Sequence, residues 1–361
     1  MPPTAPPESA SPGSGAPGPA SPAAAGWRKV PVLVVGLTLL LVAMLTAFAL
    51  PAINSGPHKV PIAVAGPGPA ADRIADRLAE AKPGAFRIEK VADADAARER
   101  IDDRDAYGAV VLGTKPGAKP KVLIATTAGP SVAATLRALA LTLDPAAAGV
   151  GATVHDLYPP TSDDPNAVGL SAGALPLVLG GYLAAAAIVL LLRSPAQRAV
   201  TALGFALLGG FSLTALLQYG FGITDGNYLL ISLAVAFSTA ATSVTIMGLH
   251  AVLGGRGLGL GAAMMIFLGN PLSGLASGPE WLPSGWGTFG QFLPPGAGGT
   301  LLRSTAFFDG AGCGRALIVL GCWLVGGLAL FTLGARVASK RAAVGAGAPA
   351  PQEERAAVPA R

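Results

Sequence analysis

The sequence predicts an α-helical polytopic membrane protein of six transmembrane helices, with an extracytoplasmic α/β domain between the first and the second. Three observations carry this. Hydrophobic residues fill 52% of the 361 positions and charged ones only 12%, about half the roughly 25% charge of a soluble domain. The apolar residues gather into six uncharged runs, each near the ~20 residues needed to cross about 30 Å of hydrocarbon. Most of the acidic residues fall in one stretch, 54–169, where no run is long enough to span.

Residues 1–26 are almost entirely Pro, Ala, Ser and Gly, with Glu8 the sole charge. That composition cannot bury enough apolar surface to offset chain entropy, so a disordered cytoplasmic tail is expected. Trp27, Arg28 and Lys29 lead into the uncharged run Val30 to Ile53, and 27–53 is the expected first transmembrane helix. Ala47-Phe48-Ala49 resembles a leader cleavage site, but the run is too long for the apolar core of a cleaved leader. An uncleaved anchor follows.

Within 54–169 the pattern reads Lys59 to Ala65 strand, Ala71 to Ala81 helix, Phe86 to Val91 strand, Asp93 to Asp103 helix and Tyr107 to Leu112 strand. A further strand is expected over Lys121 to Thr126 and a helix over Ser131 to Leu143. This alternation is an α/β unit with a mostly parallel sheet. Asp93 stands where it would cap its helix. The stretch has no cysteine, so its core alone must hold it.

The other five runs, Leu170 to Leu192, Val200 to Tyr219, Tyr228 to Leu249, Leu258 to Gly278 and Ala316 to Ala335, make 170–335 a five-helix transmembrane domain. Arg193 and Arg198, Arg256, and Arg336, Lys340 and Arg341 all fall on the side of Arg28 and Lys29, which the positive-inside rule makes cytoplasmic. Arg303 and Arg315 fall on the other side. The expectation is a multi-pass cell-membrane protein with both termini cytoplasmic and a second disordered tail over 336–361. The fifth run is interrupted at Gly269-Asn270-Pro271, where proline removes a backbone hydrogen bond and forces a bend. The aromatic and proline-rich segment 279–314 beyond it reads equally as a re-entrant or interfacial outer hairpin and as an ordinary outer loop.

Several motifs fail on their context. Gly66-Pro67-Gly68-Pro69 follows a strand and opens a helix, but its prolines offer no N–H to a pyrophosphate. Gly169-Leu170-Ser171-Ala172-Gly173 has the spacing of a nucleophile elbow, yet a Pro- and Asp-rich linker precedes it instead of a strand. Gly108 to Gly113 is followed by Thr114-Lys115, which is no phosphate-binding loop. His58, His155 and His250 are dispersed, without carboxylate or cysteine at ligand spacing. No catalytic residue, metal or cofactor is therefore expected. The net charge of +5 and pI near 9.4 come from residues at the ends of apolar runs, not from a basic stripe with aromatic partners, so nucleic acid is not an expected partner. Cys313 and Cys322, ~13.5 Å apart along a helix, should not pair.

The spans carry no charge, which disfavours an ion-coupled carrier. The fourth carries a hydroxyl row, Ser238, Thr242 and Thr245, which either lines a polar path or packs helices through interhelical hydrogen bonds.

Three local patterns resemble the membrane subunits of ABC-2 type transporters, in particular the YhgE/Pip-like branch. They are Val91-Ala92-Asp93 through Ala97-Arg98 to Asp105-Ala106-Tyr107-Gly108-Ala109-Val110-Val111, Pro271-Leu272-Ser273-Gly274 with Leu282-Pro283, and Leu293-Pro294-Pro295 before Leu301-Leu302-Arg303. The resemblance implies a permease half that forms a homo- or heterodimer among membrane lipids, is driven by a separate ATP-binding subunit, and exports an amphipathic or lipid-like substrate. In such proteins the link between the second and third spans transmits the ATPase stroke; here it is Leu192 to Ala199, with Arg193 and Arg198 as the expected contacts, and it is very short. Asn270 and Pro271 are the expected gate, and Ser238, Thr242 and Thr245 the expected path. The alternative is a non-transporting membrane protein whose outer domain binds a cell-envelope component or partner. A membrane-embedded enzyme is weakest, since no acid, base and nucleophile gather.

Overall fold

A computed structural model describes residues 29–113, 119–142 and 152–346. The expected tail 1–26, Trp27 and Arg28, and residues 347–361 of the second tail lie outside them. The chain divides into two compact units, Met1–Thr46 and Ala47–Arg361. Helix α1 (Lys29–Ile53) carries the first; its large apolar side chains from Val30 to Leu45 are exposed, apolar all round as in a helix solvated by lipid.

The second unit begins with an α/β layer. Strands β1 (Val60–Ala65), β2 (Phe86–Val91), β3 (Gly108–Val111), β4 (Lys121–Ile124) and β5 (Thr153–Asp156) stand in the order β2-β1-β3-β4-β5. β1 is parallel to β2 and β3, β4 is antiparallel to β3, and β5 is parallel to β4. Helices α2 (Gly68–Ala81), α3 (Ala94–Asp102) and α4 (Pro130–Thr142) connect them. β1 reads Val-Pro-Ile-Ala-Val-Ala and is buried at every position, as a central strand covered on both faces must be. Val60, Ile62 and Val64 meet Leu78 of α2 and Leu136 of α4 on one face. Ala63 and Ala65 line the other, where short side chains admit Ala97 and Ile101 of α3. Asp93 caps α3: its Oδ1 accepts from the N–H groups of Asp95 at 3.1 Å and Ala96 at 2.9 Å. Strand β5 was not expected, because four mostly exposed residues carry no readable period.

Among the described residues, five helices are long and apolar enough to cross a membrane: α1, α5 (Gly169–Leu191), α6 (Pro195–Ala215, continued by a wider turn, Leu216–Gly220), α7 (Tyr228–Leu253) and α11 (Gly314–Ala346). The fifth expected span, Leu258 to Gly278, fails this measure. Helix α8 (Gly255–Gly269) ends after ~22 Å, short of the ~30 Å a span needs, and its last turns are wound wide. Pro271, without an N–H, cannot extend it, and the chain continues without α-helix through a short turn at Pro279–Trp281. Helix α11 runs past Ala335 to Ala346, so the start of the expected second tail, 336–346, is helical.

Helices α9 (Trp286–Gly290) and α10 (Pro294–Phe307) complete the unit. The segment they form leaves the α/β layer, enters the bundle and returns. At one end, the N–H groups of Gly56 and His58 each donate at 2.8 Å to the carbonyls of Trp281 and Glu280; at the other, Phe308 packs into the alanine face of the sheet. Its middle is deep: Pro295 abuts Gly269, and Gly298 abuts Ser238, ~15 Å along α7 from Tyr228.

Helix α7 is central and touches α5, α6, α8, α10 and α11. It meets α11 backbone to backbone, since a Cβ on Gly248 would lie 2.4 Å from the Gly327 carbonyl oxygen and one on Gly327 would lie 2.7 Å from the Thr245 nitrogen. Small residues permit such approach where helices associate by packing alone. A Gly327→Val variant should therefore lose ~1–3 kcal/mol, read as a lower thermal midpoint in detergent. Gly326→Ala, at a position with nothing within 4 Å, should leave that midpoint nearly unchanged.

Candidate functional site

The break after α8 leaves carbonyls without intrahelical donors, and the sequence supplies donors from elsewhere. Gln291 Nε2 donates to the Ser273 carbonyl at 2.9 Å, and Ser171 Oγ to the Leu275 carbonyl at 3.2 Å. Arg303 Nη2 also donates to Leu275. Ser171 thus opens helix α5 and braces the break; it is not exposed on a nucleophile elbow.

Ser238, Thr242 and Asn270 come together with Ser273 around a cavity of about 50 Å³, whose other walls include Leu177, Val235, Leu275 and Leu302. Ser238 Oγ donates to the Ala234 carbonyl at 2.8 Å and Thr242 Oγ1 to the Ser238 carbonyl at 3.0 Å, so each keeps acceptor capacity toward the cavity. Pro271 shapes the break but does not line the cavity. Thr245 is turned away: its Oγ1 lies 2.7 Å from the Ala241 carbonyl oxygen and 3.1 Å from that of Trp323, placing it in the α7–α11 seam. The hydroxyl row therefore divides, with Ser238 and Thr242 on the cavity and Thr245 on the seam.

Arg193 and Arg198 do not form a pair of free contacts. Only residues 192–194 separate α5 from α6, and Arg198 caps α5, donating from Nε to Leu192 at 2.9 Å and from Nη2 to Val189 at 3.0 Å. Arg193 is exposed. Among the described residues no three metal-ligating side chains gather, and Cys313 and Cys322 are free thiols.

Sequence reasoning did not foresee a polar junction where the α/β layer meets the inserted segment. The Tyr107 hydroxyl donates to Glu280 Oε2 at 2.5 Å. Burial and the Glu280 charge both push its ionisation far up, so it remains a donor across the physiological range. Arg104 donates from Nη1 to the Thr300 carbonyl at 3.3 Å and bonds Ser304 Oγ, with its guanidinium 5.1 Å from the Phe308 ring centroid. Burial pulls the Arg104 pKa below its ordinary value, against the charge of Glu280. Phe308 also packs against Tyr158, ring centroids 4.2 Å apart. Its hydroxyl donates to Asp102 at 2.9 Å, and its pKa is pushed up to about 12, by burial first. Arg303 is 4% exposed, and its Nε has no partner. The available signal was positional: Arg303 broke the charge asymmetry of the loops, and Tyr107 and Arg303 both sit inside patterns that carry the family resemblance.

Compared with protein-family models, curated proteins and solved structures, the chain matches none. The geometry therefore bears the functional argument. Tyr107→Phe should remove a bond to a charged acceptor and cost ~1.5–3 kcal/mol, lowering the thermal midpoint of the full chain. Tyr158→Phe, whose partner Asp102 is half-exposed, should cost under ~1 kcal/mol.

Proposed function

We propose that this chain is the membrane subunit of an ABC-2-like exporter. On this reading it is a permease half in the cell membrane, with both termini cytoplasmic and the α/β layer outside. It pairs as a homo- or heterodimer and works with a separate ATP-binding subunit to move an amphipathic or lipid-like molecule. The observation that carries the reading is the meeting of the short helix α8 and the inserted helix α10 around the hydroxyls of Ser238 and Thr242. Interrupted helices at depth are tolerated where protein buries them or a cavity needs them, and substrate sites form there. At about 50 Å³ the space holds a few waters and not an amphiphile. Passage requires α10 to part from α7, and the faces to be parted there are small, since Gly298 meets Ser238.

Topology supports the same reading. Helix α8 and the stretch 270–278 together carry the chain from Gly254 to Trp281 at the α/β layer, and counting that passage as one crossing would bring the five long helices to the six spans of this reading. Arg193, Arg198, Arg256 and Arg336 then gather at the far end, as cytoplasmic residues should.

One observation favours the second reading, a non-transporting protein whose α/β layer binds an envelope component or partner. The link 192–194 offers no helix for an ATPase to grip, and Arg198 is occupied by α5. Affinity purification of the tagged full chain at native expression, with ATPase assay of what co-purifies, separates the two. Export predicts an ATP-binding subunit whose retention falls about tenfold in Arg193→Glu, ~1.4 kcal/mol. Repeated recovery without any such subunit sinks export and leaves the binding protein.

A further inference from the structure

We propose that the cavity between the α/β layer and the starts of α10 and α11 binds the phosphate-bearing headgroup of an anionic amphiphile. The inference needs only that the helices span a membrane, and it stands whether or not an ATPase drives the chain.

The cavity measures about 320 Å³ and is lined by Arg104, Tyr107, Glu280, Gln291, Thr300 and Arg315, room for far more than a single water. Cations outnumber the anions left free to answer them. Asp105 also lines it but is held by Arg100 at 3.1 Å, so Glu280, which accepts from the neutral Tyr107 hydroxyl and keeps its charge, is the one carboxylate of the lining left to face Arg104 and Arg315. Among the described residues, no carboxylate lies within 4 Å of Arg104, Arg303 or Arg315. Arg303 does not line the cavity, but its positive charge is close enough to repel that of Arg104. A buried guanidinium such as Arg104, bonded through one nitrogen and without a carboxylate in contact, is costly, and a bound oxyanion would reduce that cost through charge-assisted, two-pronged bonds.

The backbone is committed to this arrangement. Arg104 adopts a left-handed conformation, φ +64°, just beyond the end of α3, where glycine is the usual occupant. The conformation costs of order 1 kcal/mol and turns the guanidinium inward, with Nε and Nη2 unbonded among the described residues. At the opposite wall Arg315 makes neither hydrogen bond nor ion pair among the described residues; its guanidinium rests 4.8 Å from the Phe292 ring centroid. Arg315 and Ala316 belong to the first turn of α11, whose free N–H groups add to the positive potential.

The surroundings select an amphiphile over a free ion. Arg315 is followed directly by the uncharged stretch of α11, with Leu317 and Ile318 exposed, and Phe289 and Phe292 are exposed beside it at 51% and 53%. An anion in the cavity would sit at headgroup level with apolar side chains below it for an acyl chain.

The test titrates the purified full chain in neutral detergent with phosphatidylglycerol, with phosphatidylcholine, and separately with inorganic phosphate, reading an apparent Kd from the rise in thermal midpoint. Phosphatidylglycerol should raise the midpoint, whereas phosphatidylcholine and inorganic phosphate at equal concentration should not. Arg315→Gln, an exposed residue whose loss the fold tolerates, should weaken phosphatidylglycerol about tenfold or more, and Arg104→Gln should do the same where it folds. Arg87→Gln, on the exposed side of β2, should bind as the parent does. An equal response to phosphatidylcholine, an equal response to inorganic phosphate, or undiminished binding by Arg315→Gln each overturns the proposal. None of these outcomes depends on recovering an ATP-binding subunit, so the two proposals fail separately.

Discussion

A carbonyl deep in a helix bundle has no water to bond, and the stretch 270–278 carries several such groups past the end of α8. Every stable arrangement of the bundle must answer them from within. Gln291 answers Ser273, while Ser171 and Arg303 answer Leu275. Two of these three donors belong to the inserted segment. The broken chain and the segment that follows it are thus one device: the break is tolerable because α10 brings donors to it, and α10 is held at depth because the break needs them. A buried arginine, costly in a dry interior, is explained by the same requirement, since a neutral donor of shorter reach on α10 would leave Leu275 with the Ser171 bond alone.

The α/β layer is part of this device and not an appendage. Trp281 packs against the valine and isoleucine face of the sheet, and Phe308 enters the alanine face. The two ends of the inserted segment therefore lie on opposite sides of one sheet. Pulling either aromatic out would expose apolar area at about 25 cal/mol per Å², and the Tyr107–Glu280 and Arg104–Ser304 bonds add to that resistance. The contact of α10 with α7, by contrast, includes Gly298 set against Ser238.

Much of this was legible in the residues. Uncharged runs gave the long helices, since charge is excluded from spans; the apolar run of β1 and the Asp93 cap gave the α/β alternation. The failures share a cause. The fifth run looked like a full span because Leu272 and Leu275 continue its hydropathy beyond Pro271, and hydropathy does not register the loss of helix. Thr245 looked like its neighbours because spacing reports which side of a helix a residue is on, not which helix it meets. The junction was illegible because Arg104 and Ser304 are 200 residues apart in sequence, and no local period links them. The break itself was legible, because proline next to a polar residue inside an apolar run marks the end of a helix whatever the tertiary context.

The two ends of the bundle are built differently, and that asymmetry limits where motion can originate. At the far end the links are minimal, residues 192–194 and Gly254, and Arg198 is committed to capping α5. At the other end lie a five-stranded sheet, an inserted segment tied to both its faces, and the two larger polar groups of the junction, Arg104 and Glu280. A force applied at the far end must travel through helices, above all α7, which touches all the others in the unit's bundle. A ligand bound at the junction, as proposed above, would touch the same segment whose Gly298 meets Ser238 beside the cavity. In an exporter, the junction would report the state of the outer leaflet to the gate; in a binding protein, the same contacts would hold the α/β layer at a fixed height and angle above the membrane. Both rest on the same contacts: α10 is bonded to Arg104 through Thr300 and Ser304, and the segment's ends, Trp281 and Phe308, pack on the two faces of the sheet.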